Sequence, residues 1–314
     1  MIDTVGAMRL CGGMTAPRPA PTTRTYTVNG IDLAVHEWQA ITGSSPLSPA
    51  HNPDMPPLVF AHATGFHGRV FDAIIEQFPA HPAYAIDLRG HGQSGGGPIK
   101  DWRVVASDVA EFLEQAQITG AVGIGHSMGA HTLLQVAADH PQALGRLVLF
   151  DPVILPPAYY TSSEALFTAD NPHPASRRKR DFASPEAMME RFRARDPYRL
   201  FAARVFEDYC RHGLVPAASG EGYELACAPE VEASVYASSR SNGAILEAAR
   251  TVALPVLVVR AKASSLTDFK SSPTWPELAA ILPQGEDLYR PDRTHFHPFE
   301  DPEDAARIIA GMIG

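Results

Sequence analysis

A chain of 314 residues with 45% hydrophobic and 19% charged side chains can bury one large core, which excludes a disordered or low-complexity protein. Its net charge of −9, from 26 basic and 35 acidic residues, repels polyanions over most of the surface, so neither nucleic acid nor an anionic membrane is an expected partner. Three cysteines, Cys11, Cys210 and Cys227, are odd in number and lack C-x-x-C spacing; they predict neither a disulfide framework nor a zinc site and fit reduced thiols in a cytoplasm.

Residues 1–22 are rich in Pro, Thr and Gly, show no periodicity and read as a loose leader without chemistry. Arg9 and its short apolar patch lack the long apolar stretch of a signal peptide, and no run in the chain approaches the ~20 apolar residues of a membrane span. Strands are predicted at Thr25–Val28, Ile31–Glu37, Leu58–Ala61, Tyr84–Asp87, Ala121–Gly125, Leu147–Phe150, Val256–Arg260 and Leu288–Tyr289. Gly43–Pro57 separates the second and third of these as a long surface loop. Helical spacing recurs between the later strands, at Val70–Phe78, Trp102–Gln115, Met128–His140, Pro276–Leu282 and Pro302–Met312.

Strands alternating with helices predict an α/β fold with a mostly parallel sheet covered on both faces. Right-handed crossovers then align the strand C-terminal ends along one edge, where ligands bind in open α/β sheets. The alternation stops at residues 156–250, which carry helical signals without strands and read as a helical cap inserted into a core formed by 23–155 and 251–314. Within it, Ser184 followed by Pro185 and Glu186 reads as a helix N-cap, and Gly213 as a helix stop. The basic run Arg177-Arg178-Lys179-Arg180 reads as a solvated helix approach, with contact to an anionic substrate or partner as the rival.

Gly125-His126-Ser127-Met128-Gly129 follows a predicted strand and opens a predicted helix. That context makes Ser127 a candidate nucleophile: a sharp strand-to-helix turn projects the hydroxyl, and the helix N-terminus supplies positive potential. A serine hydroxyl is a poor nucleophile at neutral pH and needs a neutral imidazole within hydrogen-bond reach. His295, on the loop between the last strand and the last helix, is the candidate base, with His297 as its rival. The small-residue loop Phe60-Ala61-His62-Ala63-Thr64-Gly65-Phe66-His67-Gly68 can turn backbone N–H groups toward a reacting carbonyl. The backbone amides of Thr64 and Met128 are assigned as the oxyanion hole, and His62 as a brace for the loop.

With Asp87-Leu88-Arg89-Gly90-His91-Gly92-Gln93-Ser94 and the tail His295-Phe296-His297-Pro298-Phe299-Glu300-Asp301-Pro302, the chain resembles the α/β-hydrolase family, in particular its epoxide-hydrolase-like and esterase-like branches. The resemblance covers roughly residues 24–155 and 251–312. It implies the order nucleophile, acid, histidine, and Ser127 in place of aspartate argues against epoxide or haloalkane hydrolysis. Many members of that family carry the triad acid after the strand matching Val256–Arg260, but Ser265 stands there. Asp151, at the end of the strand Leu147–Phe150, is the alternative location known in the family and the preferred acid; Asp268 is the other candidate.

The expected activity is cleavage of a carboxylic ester or related acyl compound through an acyl-enzyme, without metal or organic cofactor. C–C bond hydrolysis, acyl transfer and perhydrolysis use the same groups, and a non-catalytic ligand-binding module is the reading from another class. Cap aromatics Tyr159, Tyr160, Phe182, Phe192 and Phe206 suggest a small to medium, partly apolar substrate.

Overall fold

The computed structural model describes residues 18–41, 55–162, 167–168, 170–265 and 268–314. Cys11, the leader up to residue 17, most of the Gly43–Pro57 loop, Leu266 and Thr267 lie outside the described residues. In chain order the strands are β1 (Thr22–Val28), β2 (Ile31–Trp38), β3 (Leu58–Ala61), β4 (Ala83–Ile86), β5 (Ala121–His126), β6 (Leu144–Phe150), β7 (Asp181–Phe182), β8 (Leu214–Pro216), β9 (Tyr223–Leu225), β10 (Val256–Ala261) and β11 (Gly285–Arg290). Eight form one sheet in the order β1-β2-β4-β3-β5-β6-β10-β11. β2 pairs antiparallel with β1 and β4, and every other neighbour is parallel.

β3 is apolar at every position because both of its faces are covered. Side chains alternate across a strand, so Val59 and Ala61 of β3 join one core while Leu58 and Phe60 join the other. β6 and β10 divide in the same way, with Leu147, Leu149, Val256 and Val258 on the first face and Val148, Phe150, Leu257 and Val259 on the second. The first core is closed by helices Arg103–Gln115 and Met128–Asp139, the second by helix Pro302–Ile313. All eight sheet strands coincide with predicted ones to within a few residues at each end.

Three departures are instructive. The stretch expected to be purely helical contains a second sheet, antiparallel, in the order β7-β9-β8. Its strands have two or three residues, too few to leave a period in the sequence. Helix Ile245–Thr251, inside the stretch assigned to the cap, packs on the core: Ile245 and Ala249 are fully buried with Leu133 and Leu134 of the helix after β5. The end of the predicted leader is also fixed. Thr22 already belongs to β1, and the buried Arg18 guanidinium donates to the carbonyls of Trp38, Gln39, Ile75, Phe78 and His81. Such a fan of carbonyls satisfies a donor-only fork that burial would otherwise leave costly.

Ser184 caps helix Pro185–Phe192 by accepting from the Ala187 N–H, as its spacing predicts, and Gly213 closes helix Ala203–His212. Cys210 and Cys227 are buried free thiols. Among the described residues no helix is long and apolar enough to cross a membrane.

Candidate active site

The turn from β5 into helix Met128–Asp139 holds Ser127 at φ 58°, ψ −116°, a conformation that disfavours any L side chain. Two glycines make the turn possible. A Cβ at Gly129 would lie 2.1 Å from the Ala61 carbonyl oxygen, and one at Gly125 2.4 Å from the Ala130 Cα. The turn is pinned by Ser127 N–H donating to the Phe150 carbonyl at 3.0 Å, while the Ser127 carbonyl accepts from the N–H groups of His131 and Val153, both at 3.2 Å.

The structure brings Ser127, His295 and Asp151 together. Ser127 Oγ lies 3.1 Å from His295 Nε2, and His295 Nδ1 lies 3.4 Å from Asp151 Oδ2. Two contacts hold the His295 backbone: its N–H donates to the Lys270 carbonyl, and its carbonyl accepts from His126 Nε2 at 2.8 Å. Burial and the neighbouring imidazole of His295 depress the pKa of His126, so it stays neutral and donates through Nε2–H.

Asp151 follows β6 at φ 45° and is tied to β10 through its N–H, which donates to the Val259 carbonyl at 2.7 Å. Its Oδ1 accepts from the Ala261 N–H at 3.0 Å and from the Ser272 hydroxyl at 2.5 Å, with the Thr274 hydroxyl at 3.4 Å. Oδ2 is thereby left for the imidazole. Asp268 turns away: its carboxylate accepts from the Lys270 N–H and lies near the Ser264 hydroxyl, closing its own loop. His297 Nε2 donates to the Asp304 carboxylate at 2.9 Å, and its ring packs edge-on against Phe150. Ser272, Thr274 and His126 are the contributors that sequence reading missed; their roles exist only through contacts more than 100 residues apart along the chain.

Among the described residues the backbone N–H groups of two buried residues, Thr64 on the loop after β3 and Met128 next to Ser127 in the chain, have no acceptor. Their directions follow from peptide planarity, since the carbonyl and N–H of one trans peptide point opposite ways. The Ala63 carbonyl accepts from the Phe66 N–H at 3.2 Å and from His62 Nδ1 at 2.7 Å, which fixes the Thr64 N–H on the other side. The Ser127 carbonyl, held by His131 and Val153, orients the Met128 N–H in the same manner. His62 can donate from Nδ1 because its Nε2 accepts the Leu88 N–H at 3.0 Å, and burial pushes its pKa down to about 3. It is a brace, as its loop position suggests.

The Asp87 segment is structural. Its buried carboxylate accepts from the N–H groups of Gly68 and Gln93 and meets His36 Nε2 at 3.2 Å, and so ties the loop after β3 to that after β4. Of the aromatics expected to line a pocket, Phe182, Phe192 and Phe206 are buried in packing, and the Tyr160 hydroxyl accepts from the Leu155 N–H. The rings near the triad are Phe296, whose centroid is 5.3 Å from that of His295, and the linked Phe66, Phe201 and Tyr209.

The basic run is not uniformly solvated. Arg177, Lys179 and Arg180 are exposed, but the Arg178 guanidinium turns inward to an ion pair with Glu232 and to the hydroxyls of Tyr198 and Tyr209. Its partners lie 20 to 54 residues further on, beyond what local charge pattern can read.

Residues 58–308 match the profile of the alpha/beta hydrolase family. An sn-1-specific diacylglycerol lipase of Xenopus laevis is 35% identical over 99 residues, 31% of this chain and 32% of that protein. An esterase of Escherichia coli is 32% identical over 92 residues, 29% of this chain and 35% of that protein. The aligned stretch spans about a third of the length of these curated relatives. Among solved structures, E-2-(acetamidomethylene)succinate hydrolase superposes with a TM-score of 0.69 at 21% identity, covering 93% of this chain and 99% of that one. The thioesterase domain from the curacin biosynthetic pathway gives 0.64 at 18% identity, covering 94% and 99%.

Proposed function

The chain belongs to the alpha/beta hydrolase family, and from that premise we propose that it is a serine hydrolase cleaving carboxylic esters or related acyl compounds through an acyl-enzyme on Ser127. The observation that carries this reading is the 3.1 Å approach of Ser127 Oγ to His295 Nε2 at a strained strand-to-helix turn. The similarity to proteins named as a lipase and an esterase supports an ester as the substrate.

Neutral His295 accepts the hydroxyl proton as Ser127 Oγ bonds to the carbonyl carbon, and the carbonyl oxygen becomes an anion. The N–H groups of Thr64 and Met128 receive that charge without having to reorient, which is where such donors contribute most, on the order of 10²–10³ in rate each. Protonated His295 then gives its proton to the leaving alkoxide. Water repeats the sequence on the acyl-enzyme, with His295 taking its proton and returning it to Ser127. Asp151 accepts from Nδ1–H throughout, fixes the tautomer and stabilises the imidazolium. No step requires a metal or organic cofactor. Phe66, Phe201 and Phe296 favour a small to medium, partly apolar acyl substrate, and the free thiols of Cys210 and Cys227 support a reducing, cytoplasmic setting.

A fluorophosphonate probe with a panel of p-nitrophenyl esters of rising chain length tests the reading. Labelling and turnover should both vanish in Ser127→Ala. Labelling that persists in that variant would remove Ser127 as nucleophile, and absence of turnover across the panel would remove ester hydrolysis.

A further inference from the structure

We propose that Arg178 is a specificity-determining residue that binds a carboxylate on the acyl substrate, beside the turn that receives the carbonyl oxygen. This rests on the reading of Ser127 as nucleophile and of the Thr64 N–H as an oxyanion donor.

Position is the first argument. A Cβ built on Gly65, the residue after Thr64, would lie 2.8 Å from Glu232 Oε1 and 3.3 Å from Arg178 Nη1. Consecutive Cα atoms are about 3.8 Å apart, so the guanidinium flanks the residue that directly follows the proposed oxyanion donor. Gly65 sits at φ +79°, and the missing side chain is what admits the pair to the turn.

Construction is the second. Nη1 pairs with Glu232 on helix Pro229–Ala237, and Nη2 donates to the hydroxyls of Tyr198 at 3.2 Å and Tyr209 at 2.9 Å. Tyr209 lies on helix Ala203–His212 and Tyr198 on the short turn Tyr198–Leu200, so three separate elements fix the plane of the fork. Phe192 lies beneath it, 6.0 Å from ring centroid to guanidinium carbon. These bonds engage three of the five N–H donors, and among the described residues no acceptor serves the other two.

Energetics is the third. A buried ion pair contributes little net stability, and apolar side chains of similar volume often serve as well. Apart from Glu232, the side chains that touch the fork are aromatic: Phe192, Tyr198 and Tyr209. Packing alone therefore gives no reason for a charge here, whereas recognition of a ligand does. A guanidinium offers only donors, in a planar fork that matches a carboxylate, so the ligand must bring acceptors. The short separation from Thr64 selects a compact acyl chain, such as the half-ester of a four- or five-carbon diacid.

The test compares mono-p-nitrophenyl glutarate with p-nitrophenyl valerate, whose acyl chain ends in methyl. Wild type should favour the carboxylated ester in kcat/KM, and the ratio of the two should fall about 10- to 100-fold in Arg178→Met, as expected for losing a charge-assisted hydrogen-bonded contact. Arg178→Lys, which keeps the charge but not the fork, should lose part of the ratio and stands in if the methionine variant does not fold. No preference in wild type, or an unchanged ratio in the variants, would overturn the proposal. Calorimetric titration of glutarate into wild type and Arg178→Lys separates this from the reaction itself. If neither ester turns over but glutarate binding depends on Arg178, ester hydrolysis fails while the carboxylate site stands; absence of glutarate binding overturns the site.

Discussion

His295 Nδ1 lies 3.4 Å from Asp151 Oδ2, although 144 residues separate the two and the acid leaves β6 rather than β10. The sheet makes this reach possible: β6 and β10 are parallel neighbours, so the ends of both strands open onto the same edge below the His295 loop. Asp151→Asn should keep the fold and lower kcat about 10³- to 10⁴-fold, because an amide cannot hold the imidazole in the required tautomer. Asp268→Asn, whose carboxylate only closes its own turn, should stay within about 3-fold. Steady-state kinetics on one chromogenic ester ranks the two, and the reverse order would move the acid.

Ser272 takes over part of the task that a conventional acid after β10 would not need. Its hydroxyl donates to Asp151 Oδ1, and together with the Ala261 N–H it turns the other oxygen to His295. Ser272→Ala leaves the carboxylate free to rotate and should lower kcat about 10-fold with KM little changed, in line with one hydrogen bond to a charged acceptor. Ser272→Thr, which keeps the hydroxyl, should recover most of the loss. Equal defects in the two variants would show that Ser272 matters only for packing.

His62 acts through a peptide plane. By donating to the Ala63 carbonyl it turns the Thr64 N–H to the opposite side of that peptide, so with Thr64 as the proposed oxyanion donor His62→Phe should lower kcat by about 10- to 100-fold while leaving fluorophosphonate labelling of Ser127 detectable. His62→Asn retains a donor and should fall between. A phenylalanine variant with wild-type kcat would show that the loop holds its shape without this bond.

How far the sequence carries depends on the range of the interaction being read. The sheet was legible because strands such as Leu58–Ala61 are short apolar runs between turn residues, and Ser127 because Gly125 and Gly129 mark a turn that only missing Cβ atoms permit. The choice between Asp151 and Asp268 turns on a distance, and no local pattern encodes it. Ser272 lies in an ordinary polar loop, the inward turn of Arg178 depends on Glu232 far along the chain, and strands of two or three residues in the cap leave no alternation to detect.

Stability against pH follows from the buried histidines. Burial pushes His62 down to about 3 and His67, His91 and His131 down to about 4, against about 6.5 for exposed imidazole. In these four the folded state binds fewer protons than the unfolded chain between roughly pH 6.5 and the folded values. Their contribution is therefore fully present above pH 6.5 and is lost progressively as pH falls toward 3–4. Asp208 works the other way. Burial and the adjacent Asp72 carboxylate raise it to about 7, so its contribution is present at low pH and is lost as pH rises toward that value. His126, His173, His212 and His297 shift in the same direction as these four, and Asp72 and Glu232 in the direction of Asp208. The depressed imidazoles are the more numerous, and the net effect should be a melting temperature that falls steadily between pH 6.5 and 4. Asp208→Asn removes one of the opposing carboxyls and should steepen that fall. Calorimetry or circular dichroism melts at half-unit intervals read both slopes, and a melting temperature that is flat or rising on acidification would mean that these imidazoles are not held neutral by the fold.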